Sequence, residues 1–273
     1  MHKILIFLLV IFSAMAHSMN VEPSGLGDGY VLILKGKIEK NDLNRVKKII
    51  KDKGYPELTF INSSGGDVEE ALQIGKYFNK AFIEINTIDQ CDSACFFLWA
   101  GAYKRETIVS LGLHRPYFDK SYFSGLSADQ AKKKYKTLSK MVRDYLLEMH
   151  VPVSFIDTMM SIDSENIWYV HEEQLFGKIS KYAPAQREWI LSKCGALSRD
   201  ENRDFDASRN NKMYQYLLNE KKWDIEMISY LKNDVEYAKN LPSGYLSYLK
   251  NKSRKIRKCE SQAIVQARKS IEK

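Results

Sequence analysis

From residue 30 onward, short apolar or β-branched runs alternate with longer amphipathic segments. The short runs predict four strands, at 30–34, 58–62, 82–88 and 108–113. Apolar residues at helical spacing predict helices at 42–51 and 68–78 and a buried helix at 94–100. A repeat of this kind predicts a parallel sheet with helices on its faces and right-handed crossovers. The predicted fold class is therefore α/β.

The pattern changes after residue 113. Ser127 and Gln130 form a capping-box sequence, which predicts the start of a long helix that runs to about residue 149. Three shorter elements are then predicted: a helix at 155–160, a strand near 167–170 and a last helical turn at 172–176.

The strand signals fade beyond Pro184, and residues 212–271 have an almost wholly helical composition. We therefore expect an α/β domain at 28–180 and a helical C-terminal region at 190–273.

The N-terminus has the layout of a secretory signal peptide. A basic start is followed by an apolar run at 4–12 and by a small-x-small sequence within 13–16, so cleavage is expected after Ala16. The apolar run is about half the length that a spanning helix needs. We expect a periplasmic or secreted protein with no stable membrane anchor after cleavage. An uncleaved anchor is the alternative.

The formal net charge is +8, from 42 Lys and Arg against 34 Asp and Glu. The excess basic residues cluster at 132–134 and 250–258 and are not interleaved with aromatic residues in one patch. This distribution favours solvated helix faces over a nucleic-acid or anionic-membrane surface, and no nucleic-acid partner is expected.

Four cysteines in an exported chain favour two disulfides, and three pairings are possible. Pairing Cys91 with Cys95 and Cys194 with Cys259 is the most economical. The chain has no CxxC pair and no histidine at zinc-finger spacing, so no metal site is expected.

Gly65 and Gly66 lie between a predicted strand and a predicted helix. Glycines there let the backbone turn sharply and point N–H groups outward, which attracts negative charge and can form half of an oxyanion hole. A purely structural turn is an equal alternative. No lysine follows to make a phosphate-binding loop.

Ser93 and His114 each follow a predicted strand. The serine could cap the next helix, or it could be a nucleophile at the strand's carboxyl end, with the N–H of Ala94 as a second oxyanion donor. The histidine could be a buried structural residue or the general base that such a serine needs.

Four motifs together resemble the ClpP-like serine peptidases of the crotonase superfamily, particularly exported members with a cysteine-flanked serine. They are residues 61–68, 91–95, 112–116 and 172–177. The resemblance extends from Tyr30 to Ile179, so it covers the domain at 28–180. Ser93 lies 28 residues after Gly65, and His114 lies 21 after Ser93, near the family's spacing.

The resemblance implies that Ser93 is the nucleophile, His114 the general base, and the N–H groups of Gly66 and Ala94 the oxyanion donors. The acid is where this chain departs from the family. Asp163 matches the family's residue type, whereas Glu165 matches better when counted back from Gly177, and Asp163 is slightly favoured. The resemblance also implies no cofactor.

In the resembled family the long helix packs subunits together, so we expect a homo-oligomer of at least three chains. The leading hypothesis is an exported serine hydrolase, specifically a peptidase that acts on a peptide or protein substrate. Two alternatives remain. One is a crotonase-type enzyme that polarises a coenzyme A thioester, although that substrate pool is intracellular. The other is an inactive binding or assembly module.

Overall fold

The computed structural model describes residues 19–26, 29–118, 120–208, 232, 236–242 and 244–271. The predicted signal peptide and the predicted helical stretch at 212–231 lie outside these residues. The chain divides into two compact units, which meet in sequence at Ala183 and Pro184. Within the described ranges, no helix is both long and apolar enough to span a bilayer.

Unit 1, the part of the chain up to Ala183, contains a sheet whose seven described strands are β1 Asn20–Leu26, β2 Gly29–Lys35, β3 Leu58–Ser63, β4 Glu84–Asp92, β5 Lys104–Thr107, β6 Leu111–Leu113 and β7 Trp168–Val170. Its described helices are α1 Asp42–Lys53, α2 Val68–Lys80, α3 Cys95–Gly101, α4 Lys120–Phe123, α5 Ala128–Glu148, α6 Val153–Ser161 and α7 Glu172–Phe176.

The strand order is β1-β2-β3-β4-β6-β7, and β5 also pairs with β4. Strands β2, β3, β4, β5 and β6 run parallel where they pair, whereas the outer strands β1 and β7 are antiparallel to their neighbours. The predicted α/β class with a mostly parallel sheet is confirmed. The carboxyl ends of β3, β4 and β6 consequently lie side by side.

The predicted strand at 108–113 is wrong over its first half. Ile108 is 71% exposed, and only Leu111–Leu113 forms a strand there. The preceding strand β5 was not predicted. It pairs with the start of β4 at Glu84–Thr87, whereas β6 pairs with Cys91 and Asp92 at the end of β4. Two short strands thus share one long neighbour.

Two other strand boundaries differ from the prediction. Phe82 has φ 52° and lies before β4, which begins at Glu84 and continues to Asp92. Strand β1 was not predicted. It contains Pro23, which sheets tolerate at an edge position such as this one.

Helix α3 is buried along its whole length. Its carboxyl end is held by Arg105, a fully buried residue whose Nη1 donates to Ala100 O at 2.7 Å. The Arg105 Nη2 also donates to Met149 O, at the end of α5, at 3.4 Å. Both acceptors lie at the negative end of a helix dipole. Burial lowers the pKa of Arg105 to about 10, so the side chain is charged at neutral pH.

Unit 2 begins with α8, Pro184–Cys194, and ends with α9, Tyr245–Lys269. Residues 199–208 are helical as well. A disulfide joins Cys194 at the end of α8 to Cys259 in α9, as the sequence predicted. The same two helices are joined by the ion pair of Arg187 with Glu260 at 2.7 Å.

Candidate active site

Three adjacent strand ends bring the predicted site residues to one edge of the sheet. Gly65 and Gly66 follow β3, Ser93 follows β4, and His114 follows β6. The register places Ser63 opposite Cys91 and Asp92 opposite Gly112. The carboxyl edge of a parallel sheet is where α/β proteins commonly place their sites.

Ser93 occupies the turn between β4 and α3. Its φ is 55°, a left-handed value that is uncommon for a residue with a side chain. Its N–H donates to Gly112 O at 2.7 Å, which fixes the turn against β6. The half-buried Ser93 hydroxyl has no hydrogen-bond partner among the described residues, and no side chain caps α3. The helix-cap interpretation of this serine is therefore not what the structure shows.

The Gly65–Gly66 turn passes directly beside Ser93. Both glycines have positive φ, 96° and 145°. A Cβ on Gly65 would lie 2.8 Å from Ser93 Cβ and 3.0 Å from Ala94 N, so the backbone can approach this closely only at glycine. A Cβ on Gly66 would lie 2.2 Å from Ile38 O. The two glycines therefore fit into a narrow gap between two other backbone segments.

Among the described residues, two backbone N–H groups at this turn have no acceptor. Ile38 donates to Gly65 O and accepts from Asp67 N, which leaves the N–H of Gly66 unused. The N–H of Ala94 likewise has no acceptor among the described residues. The first lies just before α2 and the second just before α3, where the positive ends of the helix dipoles attract negative charge.

His114 is 8% exposed, and its ring contacts the ring of Tyr117 at 5.5 Å between centroids. Its Nδ1 lies 2.8 Å from Arg115 O. A carbonyl oxygen can only accept a hydrogen bond, so Nδ1 donates and, in the neutral ring, Nε2 keeps its lone pair. That tautomer is the one a general base needs. No hydrogen bond joins the described residues Ser93 and His114.

Within the described residues, no hydrogen bond or ion pair joins either candidate acid to His114. Asp163 forms an ion pair with Arg115, and the N–H of Arg115 donates to Ile162 O at 3.0 Å. Glu165 is exposed. The loop before β7 is thus connected to the residue that follows His114, and not to the imidazole itself.

No known protein-family model matches this chain. No curated protein matches it in sequence either. Among solved structures, a mutant form of ClpP1 from Listeria monocytogenes aligns with 54% of this chain and 85% of its own, with 17% identity and a TM-score of 0.40. What the site can do therefore follows from the contacts of its own residues.

Sequence reasoning missed two residues that shape the site. Arg115 supplies both the carbonyl that orients His114 and the partner of Asp163. Gly112 leaves room for Asp92, since a Cβ on Gly112 would lie 2.1 Å from Asp92 Oδ1. A glycine within a predicted strand signals such a close approach. No sequence signal identifies Arg115.

The disulfide that joins Cys91 and Cys95 closes the turn around Ser93, as the sequence predicted. Among the described residues, no group of three or more His, Cys, Asp and Glu side chains is arranged to hold a metal ion.

Proposed function

We propose that this chain is an exported serine hydrolase that cleaves amide or ester bonds, with peptides or proteins as substrates. Ser93 is the nucleophile, His114 the general base, and the N–H groups of Gly66 and Ala94 are the oxyanion donors. Sequence motifs that resemble ClpP-like serine peptidases support the proposal, as does the signal-peptide layout of residues 1–16. The buried disulfide at the site is typical of proteins from oxidising compartments.

One observation carries the proposal. The Gly65–Gly66 backbone lies against Ser93 and Ala94, and two N–H groups beside the free serine hydroxyl have no acceptor within the described residues. A buried or half-buried unpaired donor costs free energy, so such donors are retained where a ligand accepts from them. An oxyanion beside Ser93 is the ligand that this arrangement fits.

In the proposed reaction, Ser93 Oγ attacks the substrate carbonyl while His114 Nε2 takes the hydroxyl proton. The carbonyl oxygen becomes an oxyanion and accepts from the N–H groups of Gly66 and Ala94. The imidazolium then gives its proton to the leaving group, and an acyl-serine remains. Water, activated by the same imidazole, hydrolyses that acyl group and restores the hydroxyl.

The carbonyl of Arg115 takes part of the role that a triad carboxylate has elsewhere, because it accepts from His114 Nδ1–H and fixes the tautomer. We propose Asp163 as the acid of the site, acting through Arg115: its ion pair holds the Arg115 backbone in place. Glu165 remains the alternative. The hydrogen bond between Ser93 and His114 would form as substrate binds, since catalytic contacts commonly tighten only then.

A second candidate function is a binding or assembly module that uses the same turn without catalysis. Two observations favour it: no hydrogen bond joins the described residues Ser93 and His114, and Asp163 is engaged by Arg115. A peptide carboxylate or another anion could then occupy the donors of Gly66 and Ala94 without reacting.

Fluorophosphonate labelling of the folded, oxidised chain separates the two functions. We expect Ser93 to be phosphonylated, as mapped by mass spectrometry, and Ser93→Ala to abolish labelling. Ser64→Ala is the matched control, because Ser64 is an exposed serine next to Gly65 and its loss should leave labelling unchanged. Absence of labelling in wild type, under conditions that label another serine hydrolase, would favour the binding module.

We also propose self-association through α5. The first half of this helix, residues 128–137, is almost entirely exposed, and it carries Tyr135 and four lysines. Leu147 near its end is 41% exposed. Sedimentation at micromolar concentration is expected to show at least a trimer, and a monomer would reject this part of the proposal.

A further inference from the structure

The disulfide of unit 1 encloses the candidate nucleophile. Cys91 is the second-to-last residue of β4, and Cys95 is the first residue of α3. The three residues between them include Ser93 and Ala94, which supply the hydroxyl and one of the free N–H groups. Both cysteines are fully buried. The bridge thus joins the end of a strand to the start of a helix across the reactive turn.

The hydrogen-bond ladder that should carry β4 to this turn is irregular. Ile61 of β3 pairs with Thr87, but the next registered pair is Ser63 with Cys91. Two residues on β3 therefore correspond to four on β4, and Asp89 within the extra segment has φ 59°. A bulge of this kind interrupts pairing and bends the strand. Pairing resumes only at Cys91, opposite Ser63 and Leu111, so a short paired stretch of two residues carries β4 into the turn.

The turn itself is held in an unfavourable backbone conformation. A left-handed φ at Ser93 persists only where surrounding structure determines it. On the strand side, Ser93 N donates to Gly112 O and Asp92 pairs with Gly112. On the helix side, the N–H groups of Phe96 and Phe97 in α3 donate to Ser93 O and Ala94 O at 3.1 Å. The bridge adds a covalent link that spans both sides of the turn.

We infer that the Cys91–Cys95 bridge is the positioning element of the site. It holds Ser93 in the left-handed turn and keeps the N–H of Ala94 beside the Gly65–Gly66 turn. The inference rests on the proposed hydrolase function for its catalytic consequence. Because the bridge is buried, it is set during folding, and the dithiol form of the chain is the poorly reactive one.

The test compares removal of each disulfide in the oxidised full chain. Cys91→Ala/Cys95→Ala is compared with Cys194→Ala/Cys259→Ala, which removes the bridge of unit 2. Fluorophosphonate labelling rates are measured well below the melting temperature of each variant. We expect the first pair to lower the rate about tenfold or more and the second to change it less than about twofold, on the basis of strain at the turn.

The pH profile separates positioning from a change in the base. The labelling rate of Cys91→Ala/Cys95→Ala should fall by the same factor at every pH. The midpoint of its pH profile should equal that of wild type, because His114 is outside the bridged turn. The hydrogen-exchange rate of the Ser93 amide is a second measurement, which does not depend on the reactivity of the serine hydroxyl. Its N–H should exchange about tenfold faster in this variant than in Cys194→Ala/Cys259→Ala, since its bond to Gly112 O is no longer supported.

These readouts distinguish the two hypotheses. If wild type is not labelled but Ser93 exchange still rises selectively, the bridge positions the turn and the hydrolase proposal fails. Unchanged labelling and unchanged Ser93 exchange in folded Cys91→Ala/Cys95→Ala would overturn the inference. If that variant does not fold, Cys91→Val/Cys95→Ala restores buried volume. Failure of both to fold would make the bridge a stability element and would also overturn the positioning role.

Discussion

The two disulfides span similar distances, with Cα atoms 5.2 Å apart at Cys91–Cys95 and 5.6 Å apart at Cys194–Cys259. Their sequence separations are 4 and 65 residues. In the chain-entropy model the long loop contributes about 4 kcal/mol to stability and the short one only about 2 kcal/mol. The short bridge nevertheless encloses the turn with the free serine and N–H groups. A bridge can therefore matter for geometry where it adds little stability.

The two bridges also differ in the kind of contacts that surround them. Around Ser93 the contacts are between backbone atoms, and Gly65 and Gly66 have positive φ. Around Cys259 the contacts are side-chain ion pairs on helix surfaces, such as Arg187 with Glu260. Unit 1 thus holds a residue with a side chain, Ser93, in a left-handed conformation at the site, whereas α8 and α9 of unit 2 are also joined by an ion pair.

The largest expected effect concerns the chemistry of unit 1. His114→Asn should lower the fluorophosphonate labelling rate by about a thousandfold, because it removes the proposed base for the Ser93 proton. His150→Asn is the control: His150 is exposed, has φ 59°, and asparagine tolerates that conformation. Equal labelling of His114→Asn and wild type would remove the general base from the mechanism.

Removal of the long bridge should have the next largest effect, and only on stability. Cys194→Ala/Cys259→Ala is expected to lower the free energy of unfolding of unit 2 by about 4 kcal/mol, and Cys91→Ala/Cys95→Ala that of unit 1 by about 2 kcal/mol. Denaturant unfolding followed by amide exchange in α9 and in α2 measures each unit. A larger loss of unfolding free energy on removal of the short bridge would contradict the view that this bridge adds little stability.

The acid is expected to act through Arg115. Asp163→Asn should lower the labelling rate about tenfold, and Arg115→Gln by a similar factor, with the double variant no worse than either single one. Glu165→Gln should change the rate little. A fall of a hundredfold or more in Asp163→Asn alone would instead mean that Asp163 accepts directly from His114, and a large effect only in Glu165→Gln would transfer the role to Glu165.

The smallest effect is the pH dependence of unit 2. The hydrogen bond from Lys252 lowers the pKa of Glu201 below its ordinary value of 4.5. The folded unit therefore binds fewer protons than the unfolded chain near pH 4, so the stabilisation is present above pH 4.5 and is lost as the pH falls through the folded value.

Glu201→Gln should lower the melting temperature of unit 2 by about 1–2 °C at pH 6 and by less at pH 3, as followed by circular dichroism. Glu188→Gln is the control, since Glu188 is exposed and has no ion pair among those described. An equal shift at both pH values would show that the effect is not electrostatic.

The elements that could be predicted from the sequence were those with local signals. Helical spacing predicted α1 and α2, Ser127 with Gln130 predicted the capping box of α5, and the cysteine pairing followed from sequence distance. The adjacency of the three strand ends also followed, since consecutive parallel strands are usually neighbours.

The rest depended on contacts between distant segments. The bulge in β4 arises from its register with β3, which no local pattern encodes, and the sequence likewise gave no sign of β5, which pairs with the start of β4. The bond of Arg115 to Asp163 joins residues 48 positions apart. A sequence motif can suggest which residue types act, but not which of two nearby carboxylates an arginine engages.

The left-handed turn at Ser93 also limits which nucleophiles could arise at this position by mutation. Threonine is β-branched, and such residues are outliers at φ 55°. Cysteine would fit the backbone, but it would lie between Cys91 and Cys95, where its thiol would compete in disulfide exchange as the chain folds. Both routes by which hydrolases exchange a serine for another nucleophile are thereby obstructed, one by backbone geometry and the other by oxidation chemistry.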